Sequence, residues 1–254
     1  MNRNSLPRNV VALGLVSLLT DLSSDMIYPL LPVFLTVTLG AGPAVLGIIE
    51  GVAETTASLL KLFSGAWSDR LGRKKPLVLA GYLLSSVARP LVGFASAWGH
   101  VLAVRFSDRI GKGIRSSPRD ALIAASVPAN DRGRAFGLQR AMDHMGAVIG
   151  PGIAFLLLAG AGLSYRSVFF LAAIPGAAAV AALLFLVRDP GTPASRHAGG
   201  FLHDGSLPRP FRRYLLIVSC SPSGTQATPS SSFARWTREC RPPGSRCSGR
   251  RSTS

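Results

Sequence analysis

Seven ionisable side chains fall within sixteen residues of one otherwise apolar stretch: Arg105, Asp108, Arg109, Lys112, Arg115, Arg119 and Asp120. Wound as a helix at roughly 100° per residue, they share one face about 140° wide. A charge facing lipid at the centre of a bilayer costs about 2.5–3.5 kcal/mol even on lenient insertion scales. Several together must therefore meet water or partner charges. Arg105, Asp108, Arg109 and Lys112 read as the lining of a polar cavity. The outer members, Arg115, Arg119 and Asp120, either extend that lining or snorkel and pair at an interface. Candidate partners lie elsewhere at helical spacing: Asp21 with Asp25, Glu50 with Glu54 and then Lys61, and Arg89, Arg140 and Asp143. Carboxylates in a closing low-dielectric cavity can bind and release protons, which makes Asp21, Asp25, Glu50 and Glu54 candidates for proton coupling. The other reading is that these acids neutralise the arginines. No nucleophile paired with a base, no metal-ligand cluster and no phosphate loop is recognisable, so the expectation is a protein that is not an enzyme and has no cofactor or metal.

Elements that position such residues are legible from hydropathy. The 254 residues are 48% hydrophobic and 16% charged, with a mean hydropathy of +0.33, a composition of the bilayer class. Six apolar segments, near 10–38, 44–66, 76–95, 99–127, 134–160 and 165–187, are each long enough to cross a core of roughly 30 Å as helix. Backbone groups in lipid must be satisfied within the segment, so these runs should be helical despite their glycines and prolines. The first run is too long and too charged for a signal-peptide core and reads as a retained span. The net charge of +16 would suit nucleic acid, but the basic residues sit in short clusters between apolar runs, so the lipid bilayer and not nucleic acid is the expected partner.

Those clusters set orientation. Arg3 and Arg8, then Arg70, Arg73, Lys74 and Lys75, then Arg132 and Arg134, then Arg188 and Arg196 mark one side. Two of the opposite connectors have no Lys or Arg, and the third has only Arg166. Lys and Arg accumulate on the cytoplasmic side, so a multi-pass protein of the cell (inner) membrane with a cytoplasmic N-terminus is expected. Residues 1–190 form the membrane domain, 191–213 read as a cytoplasmic linker, and 214–218 as the start of a seventh helix. Residues 219–254 hold all three cysteines, Cys220, Cys240 and Cys247, with ten serines and few aliphatic residues. That composition is expected to be disordered. A permitted back-translation of 220–235, read one nucleotide out of register, yields an apolar continuation of the seventh helix, so a frame shift is the expected origin of the tail.

GAWSDRLGRKKPL, residues 65–77, lies between the second and third segments. It is similar to the major facilitator superfamily signature G-x-L-x-D-R-x-G-R-K-x-x-L at Gly65, Asp69, Arg70, Gly72, Arg73, Lys74 and Leu77, with Trp67 where Leu is usual. VLAVRFSDRIGKG (101–113) resembles the family's R-x-x-Q-G-x-G at Arg105 and Gly111, with Asp108 at the usual Gln and Arg109 at the first Gly. GAVIGPGIA (146–154) resembles the antiporter pattern G-x-x-x-G-P, where small residues at Gly146, Gly150 and Gly152 would allow close packing and Pro151 would loosen a turn. The resemblance implies an all-α polytopic membrane protein, the amino-terminal six-helix half bundle of a secondary transporter, built as a 3+3 inverted repeat. Charges followed by proline in the first and fourth segments (Asp21 and Asp25 before Pro29 and Pro32; Arg105 to Arg115 before Pro118) agree with that symmetry and point to a midplane site. The resemblance further implies a conformational latch at Gly65, Asp69, Arg70, Gly72, Arg73 and Lys74. Its expected partner is a small-molecule substrate, with the basic residues favouring an anion. A facing half is expected to come from a missing C-terminal six-helix unit or a second copy, and the alternative is a non-transporting membrane fragment.

Overall fold

The computed structural model describes residues 6–71 and 74–189. Six helical spans account for nearly all of them. The first, α1, runs Arg8–Asp25, turns at Met26 and Ile27, and resumes through a 3₁₀ turn at Tyr28–Leu30 and a π turn at Phe34–Thr38. Then come α2 (Pro43–Leu71), α3 (Lys75–Ala88, ending in the 3₁₀ turn Arg89–Phe94) and α4 (Trp98–Ala125). Last are α5 (Arg132–Phe155, ending in the π turn Leu156–Gly160) and α6 (Tyr165–Leu171 and Ala173–Leu186). Among the described residues there is no strand. Five of the spans are long and apolar enough to cross a membrane. The other is α4, of comparable length, whose seven charges make it unlike its neighbours.

The breaks follow from the residues. Pro29 and Pro32 have no N–H and crowd the preceding turn, and α1 loses its regular ladder there, with Ile27 donating to the Ser24 carbonyl and Leu30 to that of Ile27. Pro90 stands at the start of the 3₁₀ turn that ends α3. By contrast Pro118 and Pro151 are carried inside α4 and α5, as packed membrane helices allow. Gly40 and Gly162 adopt positive φ (62° and 64°) just beyond α1 and α5, where a residue with a Cβ would be strained.

Packing is symmetric between the two halves. Helix α1 packs on α5 as α4 packs on α2, α3 on α4 as α6 on α1, and α3 meets α6. Exchanging α1 with α4, α2 with α5 and α3 with α6 maps this set of contacts onto itself, the pattern of a 3+3 repeat. Glycines bring the pairs together. A Cβ on Gly81 would sit 2.6 Å from the Gly111 carbonyl, one on Gly146 2.6 Å from the Leu18 carbonyl, and one on Gly113 2.6 Å from Cβ of Leu60. These distances leave no room for any other residue without backbone movement.

Two buried apolar clusters lie toward opposite ends of the bundle. One gathers Val10, Leu13, Val16, Val78, Tyr82, Leu122, Ile123 and Leu183. The other gathers Ile27, Leu31, Phe34, Ile49, Val92, Val101 and Phe169, with Phe34 edge-on to Phe169 at 5.2 Å. Between them runs a buried polar layer: Ser17, Thr20, Ser23, Ser85, Arg89, Arg105, Asp108, Arg109 and Arg115. Large apolar side chains such as Val87, Leu91, Ile174 and Phe185 face outward from α3 and α6, the orientation lipid requires.

The segment boundaries expected from hydropathy agree within two residues except at the end of the second, where α2 runs to Leu71 rather than 66. Hydropathy stops at the first polar residues, whereas the backbone ladder continues through them. Residues 1–5 and 190–254, which include the expected linker, seventh-helix start and tail, lie outside the described residues.

Candidate functional site

The charged face of α4 is held from three sides. From α3, Arg89 donates Nε to Asp108 Oδ1 at 2.9 Å, with only 3% and 2% of the two side chains exposed. Arg89 also donates Nη1 to the Thr20 carbonyl of α1 at 2.9 Å. From α1, Tyr28 donates its hydroxyl to Asp108 Oδ2. Asp108 thus has both oxygens engaged, which is what a buried carboxylate needs. Behind it, Arg115 donates to Ser85 Oγ at 2.9 Å, and Ser85 Oγ donates to the Asp108 carbonyl at 3.1 Å. The Arg115 guanidinium also covers the Tyr82 ring, 4.4 Å from its centroid.

Two ion pairs join α4 to α2 like rungs. Arg105 holds Glu50 through Nε and Nη2 at 2.8 and 2.7 Å, a bidentate fork. The Arg109–Glu54 contact is 3.7 Å, an ion pair too long for a hydrogen bond. The arginines are recessed and the acids open: 6% of the Arg105 side chain is exposed against 39% of Glu50, and 10% of Arg109 against 45% of Glu54. Tyr28 lies beneath both guanidiniums, its ring centroid 3.5 Å from that of Arg105 and 5.6 Å from that of Arg109, so an aromatic face complements the cations.

The Lys112 side chain, one turn further along, makes no hydrogen bond or ion pair among the described residues, and neither do the side chains of Asp21 and Asp25 on α1. All three are half-buried. Asp21 and Asp25 lie on the helix face that packs on α5: a Cβ on Gly146 would come within 3.0 Å of Asp21 Cβ, and one on Gly150 within 3.0 Å of Asp25 Cβ. The glycines of the third motif therefore seat the two acids. Pro151 follows Gly150 within α5, and Gly152 has nothing within 4 Å of a Cβ position, so it faces away from the seam. Lower on the same seam, Ser17 accepts from Arg119 at 3.4 Å and from Gln139 at 3.5 Å, while Gln139 donates to Asp143 at 2.5 Å.

At the latch motif, Gly65 faces Ser117 at ordinary contact distance, 3.6 Å. Asp69 and Arg70 fall in the final turns of α2, with side chains outside the described residues, as are Gly72 and Arg73. Lys74 donates its backbone N–H to Asp189 Oδ2 at 3.1 Å and Lys75 does so at 3.0 Å. In return Lys75 Nζ donates to the carbonyls of Leu184 and Val187 at 2.9 and 2.6 Å. The start of α3 and the end of α6 thereby satisfy each other's orphan groups.

Sequence reasoning missed Tyr28, Ser85, Tyr82, Gln139 and Asp189. Tyr28 carried a usable signal: it lies three residues beyond Asp25 and just before Pro29, where a polar aromatic at a helix break needs a partner. Asp189 and Lys75 meet across a sequence separation of 114 residues, which no local pattern encodes.

A helical bundle with a repeat of three spans, apolar outer faces and a buried charged helix defines a polytopic helical membrane protein. Residues 13–242 match the family model described as Major Facilitator Superfamily, and the chain belongs to that family. It is 33% identical over 216 residues to an uncharacterized MFS-type transporter of Methanocaldococcus jannaschii, covering 85% of this chain and 54% of the relative. To the quinolone resistance protein NorA of Staphylococcus aureus it is 29% identical over 173 residues, 66% of this chain and 42% of that one. Among solved structures, a bacterial homolog of the human lysosomal transporter Spinster, inward-facing and unoccupied, superposes with a TM-score of 0.63 at 19% identity, covering 76% of this chain and 45% of that one. The last is a likeness of fold. The chain spans about half the length of the curated relatives it matches.

Proposed function

We propose that the chain supplies the amino-terminal six-helix half of a proton-coupled secondary transporter that moves a small solute by alternating access, in the cell (inner) membrane with its N-terminus cytoplasmic. The observation that carries this reading is the α4 face: Arg105 and Arg109 recessed behind Glu50 and Glu54 at mid-bundle, with Lys112, Asp21 and Asp25 unpaired beside them. Intramembrane charge of this density is expensive unless it serves a solute or ion path. Asp21 and Asp25 suit proton coupling better than Glu50, whose carboxylate is already bound twice by Arg105. Seating the acids on Gly146 and Gly150 fixes them against α5, so that a proton bound or released there acts at a defined place in the bundle. The latch at the α2–α3 connector would hold one of the two states through Asp69 and its basic neighbours. A facing bundle, from another polypeptide or a second copy, completes the cavity.

The test is solute flux into proteoliposomes under an imposed pH gradient. Expected is flux that follows the gradient and is lost in Asp25→Asn, while Asp69→Asn slows turnover more than it weakens binding. Flux indifferent to the gradient removes the coupling assignment. The second reading, a membrane fragment that transports nothing, draws on the half-length match to the relatives. Sequencing the gene through the codons for 210–230 and past the stop separates them: six further apolar spans in a corrected frame favour the carrier.

A further inference from the structure

The two rungs between α2 and α4 have the same residue types one turn apart, yet they are built differently. Arg105 is clamped: Nε and Nη2 hold Glu50, and the guanidinium plane lies 3.5 Å from the Tyr28 centroid. Arg109 is not. Its residue is 8% exposed, its buried Nε has no hydrogen-bond acceptor, and Glu54 stands off at 3.7 Å. The neighbouring carboxylate, Asp108, is consumed by Arg89 and Tyr28. A buried guanidinium N–H without an acceptor is costly, and this one lies at the polar mid-layer with Lys112 adding positive charge one turn on.

We propose that the solute carries a small oxyanion, a carboxylate or phosphate group, and that this group binds Arg109 by displacing the carboxylate of Glu54. The proposal rests on the transporter reading above and adds to it the class of solute and the residue that selects it. In the exchange Arg109 trades one distant oxygen for the close bonds an oxyanion offers to a guanidinium fork. Glu54, with 45% of its side chain already exposed, turns to its open side and is hydrated there, so the displaced charge is not stranded. A cationic solute drawn to the open acids would do the reverse: it would pull Glu54 from Arg109 and leave a buried guanidinium with no counter-charge. Arg105 keeps one unpartnered Nη1, but its other two nitrogens and its face are occupied, so it shapes the site and does not open it. Glu54 acts as an internal competitor, and the apparent affinity for the solute is reduced by the fraction of time it occupies Arg109.

The experiment is isothermal titration calorimetry on the 254-residue chain in lipid nanodiscs, with inorganic phosphate and acetate as probes and choline as the cationic control at matched chloride. Expected is saturable binding of at least one oxyanion, weakened about tenfold or more in Arg109→Gln. Glu54→Gln tightens it about three- to fivefold, because a loose, half-exposed pair is worth that much, and Glu50→Gln does not tighten it. Tightening cannot come from misfolding, so the Glu54 variant keeps the proposal testable even if Arg109→Gln does not accumulate. Binding of choline alone, no oxyanion binding by either the wild type or Glu54→Gln, or weaker binding by Glu54→Gln overturns it. Flux in proteoliposomes is read separately, with a facing six-helix half supplied: oxyanion binding without flux removes the transporter reading and keeps this site, whereas flux of a cation without oxyanion binding does the opposite.

Discussion

The α1–α5 and α2–α4 seams occupy equivalent places in the three-helix repeat but are joined by different physics. Along α1–α5, Gly14, Gly146 and Gly150 let backbones approach until a Cβ would sit 2.6–3.3 Å from its neighbours. Along α2–α4 such closeness occurs at Gly113, where Ser64 also donates to the Gly113 carbonyl at 2.9 Å. Toward the other end the contact passes to the Arg–Glu rungs. Backbone contact of the first kind cannot be loosened in steps, because every increment opens a void that nothing fills. An ion pair whose acid is well exposed can be exchanged, since water or a solute replaces each partner. The difference assigns the repeat a rigid seam and an exchangeable one.

The most damaging change should fall behind the rungs. Asp108→Ala strands the buried Arg89 and is expected to cost about 3–5 kcal/mol, read as a lowered unfolding midpoint in detergent; unchanged stability would mean that the Arg89–Asp108 pair does not hold α3 to α4. At the site itself, Tyr28→Phe removes one donor to the buried Asp108 carboxylate and keeps the ring under Arg105, for an expected loss of about 1.5–3 kcal/mol. Next, Gly146→Ala on the rigid seam should cost about 1–3 kcal/mol by forcing α1 from α5. Gly152→Ala, on the same helix but facing open space, should stay within about 0.5 kcal/mol. Equal losses at the two glycines would erase the distinction between seam and outer face. On the exchangeable seam Glu50→Gln should cost about 1 kcal/mol, discounted because the acid is well exposed, and Glu54→Gln less than that. A Glu54 loss exceeding that of Glu50 would show that the 3.7 Å rung is the stronger one.

Much of the architecture was readable beforehand because the bilayer leaves few choices. Runs of twenty apolar residues must be helices, charge within them must turn inward, and proline positions foretold the break in α1. The 100° rule placed Arg105, Asp108, Arg109 and Lys112 on one face, and the structure keeps Asp108 and Arg109 there as buried neighbours of α3 and α2. Their division of labour was not readable. Nothing local distinguishes Arg105 from Arg109, since each has a glutamate at the matching turn of α2; a shift of about 1 Å in how the helices meet makes one pair a fork and the other a stand-off. Gly152 shows the same limit, sharing a motif with Gly150 yet pointing elsewhere.

By itself the sequence determined the class of this protein, its six spans, the charged face of α4 and the motifs of the Major Facilitator Superfamily, because hydropathy, helical period and turn chemistry act within a few residues. Only the tertiary structure decided that Tyr28 sits between α1 and the α4 arginines, that Asp189 and Lys75 clasp α3 to α6, and that Arg109 is left short of an acceptor. Those outcomes depend on distances between residues 55 to 114 positions apart, and such distances are set by how glycines and ion pairs seat one helix on another.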